Sequence, residues 1–256
     1  MNEQRKYQQE SHECIVSLSE DKDVKSISQQ WIDKTGKHRY VYNWHWLGLP
    51  IIQLPQDIVV SQELIWEIKP TLIVETGVAR GGSLAFYASQ LALLDLTENG
   101  NASTSEQSKR RCVGIDIDIR PHNRKAIEAH PLSNYIKLIQ GSSISKEVLD
   151  NLKNEIRSDD VVLIILDSNH TYAHVKDELE LYAPLVTKGS YLIVHDTGIE
   201  FAPKNSFLDR DWGKGNNPLT AVNEFLSHNE DYEIDKLKND KLLITSSPDG
   251  YIKKQK

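Results

Sequence analysis

Short apolar runs alternate along this chain with segments in which apolar residues recur at helical spacing. Each run is rich in branched aliphatic residues, as expected for a strand that is buried on both faces of a sheet. The five runs lie at residues 71–75, 112–117, 135–139, 161–166 and 191–194. Because strands that alternate with helices form right-handed βαβ units, the pattern predicts an α/β fold with a doubly wound, mostly parallel sheet.

The C-terminal part of the chain carries a different pattern. After a loop rich in Gly, Asn and Pro at residues 211–218, a helix is predicted over residues 219–226. Two strand-like segments follow, around residues 232–237 and 241–245, and the turn at Asn239-Asp240 between them predicts a hairpin. We therefore expect the sheet to end in an antiparallel pair.

The N-terminal residues show no strand–helix alternation. The first 30 residues are polar apart from one short apolar patch, which suggests a loosely attached helical arm. Residues 38–55 contain four aromatic side chains between Tyr40 and Trp46, and two prolines. Such a segment is expected to lie across the surface without regular structure, either lining a substrate pocket or only holding the arm against the core. We assign residues 1–55 to an N-terminal arm and residues 56–256 to the main domain.

A polar stretch of low complexity interrupts the pattern at residues 97–110. Its composition offers too little apolar surface to hold a fixed structure. We expect a solvated, mobile insertion between two elements of the fold and assign it no function.

Charge and composition narrow the classes of partner. The 256 residues carry a formal net charge of −7, which gives no reason to expect nucleic acid or an anionic membrane as a partner. No apolar run approaches the roughly 20 residues that a membrane helix needs, and the polar N-terminus does not read as a signal peptide. Cys14 and Cys112 form no metal-like or disulfide-rich pattern, so a reducing cytoplasm is expected.

All five predicted strands end in polar groups. In a parallel sheet these ends meet along one edge, and ligands of such sheets bind in the crevice outside the carboxyl ends of the strands. The groups concerned are Glu75, Asp116, Gln140, Asp167 and the pair His195-Asp196. The sequence therefore predicts one functional site at this edge of the sheet.

The sequence ETGVARGGS at residues 75–83 combines a strand end, a glycine loop and a helix start. Gly77 and Gly81 allow the backbone to approach a ligand closely, and Ser83 is placed to cap the helix whose free N–H groups face that ligand. An acid stands two residues before the first glycine, and the two glycines are four residues apart, which differs from the spacing of dinucleotide-binding folds. The pattern resembles motif I of class I methyltransferases, which bind S-adenosylmethionine (SAM).

That resemblance implies a set of cofactor-binding residues. Asp116 at the end of the second strand would accept hydrogen bonds from the ribose hydroxyls, and the Gly141-Ser142 loop after the third strand would position the adenine. The full predicted set is Glu75, Gly77, Arg80, Gly81, Ser83, Asp116, Gly141 and Ser142.

Asp167, His195 and Asp196 end the fourth and fifth strands, which are expected to be neighbours. Two carboxylates and an imidazole held together without a cation are costly, so a bound divalent ion is predicted. Such an ion lowers the pKa of a coordinated hydroxyl. His170 is a candidate general base for the same hydroxyl. The alternative is that His170 caps or packs the next helix. His174, one turn later, is expected on the helix surface.

Several stretches together resemble the cephalosporin hydroxylase/rhamnosyl O-methyltransferase family, over roughly residues 40–245. They are VETGVARGGS, GIDID, QGSS, LDSNHTYAHV, GSYLIVHDT and WGKGNNPLTAV. The resemblance implies a seven-stranded Rossmann-like sheet and SAM as the methyl donor. The family is similar to macrolide-sugar and catechol O-methyltransferases, which bind Mg²⁺. By position, Asp167 matches the first metal-binding acid, the His195-Asp196 pair matches the second group of ligands, and His170 matches the histidine base of the macrolide enzymes.

The chain departs from the family pattern at His195, where the usual residue is Glu or Asp. Imidazole is a poorer ligand for Mg²⁺ than for Mn²⁺, Fe²⁺ or Zn²⁺. We keep Mg²⁺ as the first expectation and Mn²⁺ or Fe²⁺ as alternatives. His195 can also leave the metal and orient Asp196 or the substrate.

These features predict a metal-dependent O-methyltransferase that acts on a hydroxyl of a sugar or natural product, with a small molecule or a glycan as acceptor. Two alternatives stay open. Asp167, His170 and His195 are the ligand types of a two-histidine, one-carboxylate iron site, as in an oxidoreductase, and the chain could also be a non-catalytic SAM-binding subunit. Residues 211–218 are either a lid or a plain surface loop, and self-association through the aromatic arm stays open.

Overall fold

The computed structural model describes residues 2–99, 109–204 and 206–256. Its central element is a sheet of seven strands, which are β3 (Leu72–Thr76), β4 (Arg111–Asp116), β5 (Ile136–Gln140), β6 (Val162–Leu166), β7 (Tyr191–Val194), β8 (Tyr232–Ile234) and β9 (Tyr251–Lys254). The helices that connect and cover the strands are α3 (Pro55–Ile68), α4 (Gly82–Asn99), α5 (Pro121–Glu128), α6 (Lys146–Glu155), α7 (Tyr172–Tyr182), α8 (Pro218–His228) and α9 (Lys236–Lys241).

The strand order across the sheet is β5-β4-β3-β6-β7-β9-β8. The five strands from β3 to β7 are parallel, and β9 runs antiparallel to both of its neighbours. All residues of β3 and β6 are buried because helices cover both faces of the sheet. The order of connection reverses between β3 and β6, and this is the point at which doubly wound sheets bind their ligands. The predicted fold class is therefore confirmed.

Helix starts near this edge are fixed by local capping. The Thr171 side chain accepts a hydrogen bond from the backbone of His174 and begins α7. Asn217 and Thr220 form a capping box at the start of α8, where Pro218 takes the first helical position. Such caps are each worth about 1 kcal/mol and determine where the loops after β6 and β7 stop.

The predicted C-terminal hairpin is right in kind but wrong in position. Residues 236–241 form the short helix α9, because the Asp235 side chain caps it by accepting a hydrogen bond from the backbone of Lys238. The antiparallel partner of β8 is β9 at the end of the chain, where Tyr251 and Ile252 are fully buried. The segment 241–245 is not a strand.

The N-terminal residues form α1 (Glu3–Glu20), α2 (Lys22–Gly36), a 3₁₀ helix (Tyr40–Asn43) and two short antiparallel strands, β1 (Trp44–Trp46) and β2 (Leu49–Ile51). The expectation that residues 38–55 lack regular structure is therefore wrong. Leu49 and Ile51 are buried in the same core as the sheet, which explains why this segment is held in place. The division into an N-terminal arm at residues 1–55 and a main domain at residues 56–256 stays a prediction.

The predicted insertion at residues 97–110 falls largely outside the described residues, which exclude 100–108. Its first residues belong to α4, which continues to Asn99. At its other end Arg110 pairs with Asp95 at 2.6 Å and with Glu98 at 2.7 Å. Among the described residues, no helix is both long and apolar enough to cross a membrane.

Candidate active site

The glycine loop after β3 passes directly over the end of β6. Gly77 has a φ of +93°, and a Cβ at this position would lie 2.0 Å from the backbone oxygen of Asp167. A Cβ at Gly82 would lie 2.2 Å from the backbone oxygen of Pro50, which belongs to β2. Glycine is therefore required at both positions by close backbone approach, and the predicted cofactor loop is in contact with the predicted metal-binding strand end.

Glu75 and Ser83 interact with each other across this loop. The Ser83 hydroxyl donates a hydrogen bond of 2.7 Å to Glu75 Oε2. Glu75 is fully buried, and burial raises the pKa of its carboxyl to about 8. Its Oε1 atom has no hydrogen-bond partner within the described part of the chain. A buried acceptor without a donor fits a ligand that supplies an N–H or O–H group.

Gln53, which no sequence pattern singles out, contributes a second such acceptor. Its side chain is buried, and its Oε1 atom also lacks a hydrogen-bond partner among residues 2–99, 109–204 and 206–256. Gln53 lines a small cavity of about 30 Å³ together with Gly77, Ser83 and Asp167, and the exposed Arg80 lies at its rim. This volume has room for one group the size of an ammonium or a water molecule.

Asp116 fastens the glycine loop to the end of β4. Its Oδ2 atom accepts hydrogen bonds from the backbone N–H groups of Val78, at 2.9 Å, and Ala79, at 3.2 Å. Its Oδ1 atom accepts one from Asp118 at 2.9 Å. Oδ2 already accepts two hydrogen bonds, but Oδ1 accepts only the one from Asp118 and keeps a lone pair for a ligand hydroxyl, so the arrangement is compatible with the predicted ribose contact.

A larger cavity of about 260 Å³ adjoins Asp116 on the side of β5. Its remaining lining residues are Gly77, Ile115, Ile117, Ser142, Ser143, Ser168, Asn169 and His174. The side chain of Ile117 is 72% exposed and offers an apolar surface on which a planar base can lie. Gly141 precedes this wall and donates a backbone hydrogen bond of 2.9 Å to the carbonyl of Asp116, which holds the β5 loop beside the β4 end.

His174 lies in this cavity and not on the helix surface, so that expectation is wrong. Its Nε2 atom is 3.1 Å from the hydroxyls of both Ser143 and Ser168, and 3.6 Å from Glu178 Oε1. The buried Glu178 attracts the ring toward the sheet, since the two residues stand one turn apart on α7. Helical spacing alone could not predict the position of His174. The one indication in the sequence was Glu178, an acid four residues later on the inner face of the same helix.

Asp167, His170 and Asp196 form a compact group at the ends of β6 and β7. One ligand atom from each lies within 4.8 Å of the others, and His170 Nε2 is 3.2 Å from Asp196 Oδ2. Desolvation raises the pKa of Asp167, and the nearby negative charge of Asp196 raises it further. The residue types fit a divalent cation, which would relieve this repulsion.

His195 does not join this group among the described residues, although it was predicted as a metal ligand. Its side chain is buried, with Nδ1 2.7 Å from Ser247 Oγ and Nε2 3.5 Å from Gln53 Nε2. β7 ends at Val194, and Asp196 has a left-handed φ of +57°, so the chain turns after His195 and the two side chains point in different directions. The alternative iron site of Asp167, His170 and His195 is therefore not assembled either.

The surroundings of His195 include a buried carboxylate that sequence analysis missed. Asp57, in the first turn of α3, accepts hydrogen bonds from the backbone of Ser246 at 3.0 Å and from the hydroxyls of Thr245 and Tyr251. Burial lowers the pKa of His195, and this effect outweighs the attraction of the Asp57 charge. An acid in the first turn of a helix usually interacts with the helix dipole at the surface, so the position of Asp57 in the sequence did not indicate burial.

The loop at residues 211–218 stands over His170. The ring of Trp212 packs edge-on against the His170 ring, with 5.0 Å between the centroids. Glu200 holds the loop by accepting hydrogen bonds from the backbone of Gly215 at 2.8 Å and from the Asn217 side chain at 2.6 Å. The loop thus forms part of the site wall, and whether it moves as a lid stays a prediction.

The chain is similar to proteins of one known family. The family model described as Rhamnosyl O-methyltransferase/CmcI matches residues 38–255. The rhamnosyl O-methyltransferase of Mycobacterium leprae (strain TN) is 27% identical over 225 residues, which cover 84% of this chain and 87% of that protein. A rhamnosyl O-methyltransferase of Mycobacterium tuberculosis (strain ATCC 25618 / H37Rv) is 26% identical and covers 84% of this chain and 82% of its own length.

Two solved structures of CmcI share the fold. One, with Mg and SAM, has a TM-score of 0.55 at 21% identity and covers 84% of this chain and 78% of that one. The other, an apo structure, has a TM-score of 0.58 at 22% identity and covers 84% of this chain and 77% of that one. Because the family model spans most of the sequence, the chain belongs to the Rhamnosyl O-methyltransferase/CmcI family and is a SAM-dependent O-methyltransferase.

Proposed function

We propose that this chain transfers the methyl group of SAM to a sugar hydroxyl at a metal site formed by Asp167 and Asp196. The observation that carries the proposal is the contact between the glycine loop and the end of β6. Thr76 and Leu166 are register partners in adjacent strands, so Gly77 and Asp167 leave the sheet side by side. The methyl donor and the acidic group would therefore meet at one point.

The cofactor is proposed to lie along the glycine loop. Its ribose would bind Asp116, its adenine would occupy the cavity of about 260 Å³ beside Ile117 and Ser142, and its ammonium would face the unpaired oxygens of Glu75 and Gln53. The support is that each pocket offers the matching chemistry, namely acceptors for hydroxyls and ammonium, and an apolar surface for the base.

The two carboxylates are proposed to hold a divalent ion, with Mg²⁺ as the first choice because both oxygens are hard ligands. When bound, this ion would lower the pKa of the acceptor hydroxyl. His170 would accept the hydroxyl proton, and the Asp196 carboxylate, whose Oδ2 lies 3.2 Å from His170 Nε2, would stabilise the imidazolium that results. The protein would align the hydroxyl oxygen with the sulfonium methyl group for in-line displacement.

The acceptor class is inferred from the relatives, whose names refer to rhamnosyl groups. The test is to incubate the purified chain with SAM, Mg²⁺ and p-nitrophenyl α-L-rhamnoside and to follow the methylated glycoside and S-adenosylhomocysteine by mass spectrometry. Equal amounts of both products that depend on the glycoside support the proposal. Binding of SAM without transfer to any of a panel of neutral hexosides would contradict it.

A further inference from the structure

Helix α2 forms one wall of a cavity of about 560 Å³ that reaches Asp196. The family model begins at residue 38, so α1 and α2 lie outside the region that the family shares. The cavity residues from these helices are Ser19, Lys25, Gln29, Ile32, Asp33 and Gly36. A segment that the family does not share therefore borders the reacting group.

The opposite wall belongs to the shared fold. It includes the 3₁₀ helix Thr197–Phe201, which directly follows Asp196, the last turn of α9, and the segment between α9 and β9. Packing between α1 and α9 holds the N-terminal helices against this wall. The cavity thus lies between an N-terminal and a C-terminal segment, and Asp196 of the proposed metal site contributes to its lining.

Much of the lining is apolar. Ile32 on α2 and Val41 in the following 3₁₀ helix face the cavity, and Ile199, Phe207 and Leu242 line it as well. Cavities of this volume, largely apolar with a few polar groups, are typical of sites that bind small organic molecules.

The charges of the lining are mostly negative. Four carboxylates, those of Asp33, Asp196, Asp240 and Asp249, face a cavity in which Lys25 is the one cation within the described part of the lining. Lys236 pairs with Asp240 at 2.5 Å, and a metal would offset Asp196. Lys25 offsets part of the charge of Asp249, so Asp33 would still oppose an anionic acceptor, and a diphosphate would find no second cation in the described part of the lining.

We propose that α2 is the acceptor-specificity wall of this enzyme and that it selects an uncharged or cationic glycoside with an apolar substituent over a nucleoside diphosphate sugar. The inference rests on the proposed function for the reacting hydroxyl. It adds the chemical class of the acceptor and names α2 as the segment that contacts the acceptor and selects it. Exchanging side chains on α2 would then change the acceptor without changing the methyl donor.

Binding to the protein loaded with S-adenosylhomocysteine and Mg²⁺ tests this by calorimetry, independently of turnover. Wild type is expected to bind p-nitrophenyl α-L-rhamnoside more tightly than TDP-rhamnose. Ile32→Trp, which fills the cavity, is expected to weaken the glycoside at least about tenfold, as pocket changes of this size do. Ile27→Trp is the matched control, because Ile27 is 65% exposed on the same helix and lies outside the lining.

The charge is tested by Asp33→Lys, which should tighten TDP-rhamnose severalfold, against Asp23→Lys on the exposed first turn of α2 as control. All variants should keep the affinity of wild type for S-adenosylhomocysteine, which shows that they are folded. Absence of glycoside binding to wild type, equal effects of Ile32→Trp and Ile27→Trp, or tighter binding of TDP-rhamnose to wild type would each overturn the inference. Variant-sensitive glycoside binding without methyl transfer would instead contradict the proposed reaction and leave the role of α2 standing.

Discussion

His170 Nε2 lies 3.2 Å from Asp196 Oδ2, and this contact joins the loop after β6 to the loop after β7. The histidine could serve either as a base or as a third metal ligand. His170→Gln keeps a polar side chain but cannot accept the proton, so kcat should fall about 10²–10⁴-fold. Titration with Mn²⁺, followed by electron paramagnetic resonance, should show unchanged metal affinity. Loss of the metal together with activity would make His170 a ligand instead.

Asp167→Asn should separate metal binding from cofactor binding. The carboxylate is proposed to hold the ion, so turnover is expected to fall at least about 10²-fold, which corresponds to a loss of a few kcal/mol of transition-state stabilisation. Affinity for S-adenosylhomocysteine should change little, because the loop contact at this position uses the backbone oxygen of Asp167, which the substitution retains. Equal losses of both functions would show that the two sites are not independent.

The raised pKa of Glu75 predicts how the free energy of unfolding depends on pH. Its carboxyl has a pKa of about 8 in the folded protein against an ordinary value of 4.5, so between these pH values only the folded state holds the proton. Unfolding then releases a proton, and the free energy of unfolding falls as the pH rises through this window, by about 5 kcal/mol in total. Glu75→Gln should remove this component and make the protein more stable at pH 8.

Urea unfolding at pH 5 and pH 8 measures the effect of Glu75→Gln. Glu147→Gln, an exposed glutamate in the first turn of α6, is the matched control and should leave the pH dependence of wild type in place. An identical slope of stability against pH in wild type and Glu75→Gln would contradict the assignment.

His195 is expected to act on stability and not on the metal. His195→Ala removes the hydrogen bond with Ser247 and leaves a cavity in the core, so the free energy of unfolding should fall by about 2–3 kcal/mol. Ser247→Ala should remove part of the same interaction, and the double variant should cost less than the sum of the single ones. Unchanged Mg²⁺ affinity in His195→Ala is the decisive measurement, and a loss would restore His195 as a ligand.

Gly77 and Gly189 distinguish backbone strain from steric exclusion. Both have a positive φ, of +93° and +82°, but a Cβ at Gly189 meets nothing within 4 Å, while one at Gly77 meets the Asp167 backbone. Gly189→Ala should cost about 1–2 kcal/mol of unfolding free energy from its backbone conformation alone. Gly77→Ala should lower the free energy of unfolding by more than this and should also weaken binding of S-adenosylhomocysteine. Similar losses of stability at the two positions would contradict the close approach of Gly77 to the Asp167 backbone.

The strands of the sheet could be predicted because β6 is an unbroken apolar run and β3 begins with one, a pattern that burial on both faces imposes. β9 escaped prediction because a four-residue strand at the chain end, Tyr251–Lys254, carries little periodic signal. The turn expected at Asn239 is helical, since the Asp235 cap outweighs the local preference of Asn and Asp for turns.

The sequence predicted which strand ends meet at the candidate site. It predicted less well which side chains meet there. Asp167 and Asp196 follow from strand ends alone. His170, and not His195, stands beside Asp167 and Asp196. This depends on the left-handed backbone of Asp196, with a φ of +57°, which turns the chain back toward β6. Gln53 comes from a distant segment and has no signature in the sequence, since its role is set by tertiary packing.

The hydrogen bonds from Val78 and Ala79 to Asp116 have a consequence for the kinetics of ligand capture. Ala79 holds a left-handed conformation, with a φ of +44°, and its backbone N–H donates a hydrogen bond of 3.2 Å to the Asp116 carboxylate, which belongs to the fold itself. The conformational entropy of ordering this loop is therefore lost during folding, not at the encounter with the cofactor. The association rate should accordingly approach the diffusion-controlled regime for a preformed cleft and should not report a slow rearrangement of the loop.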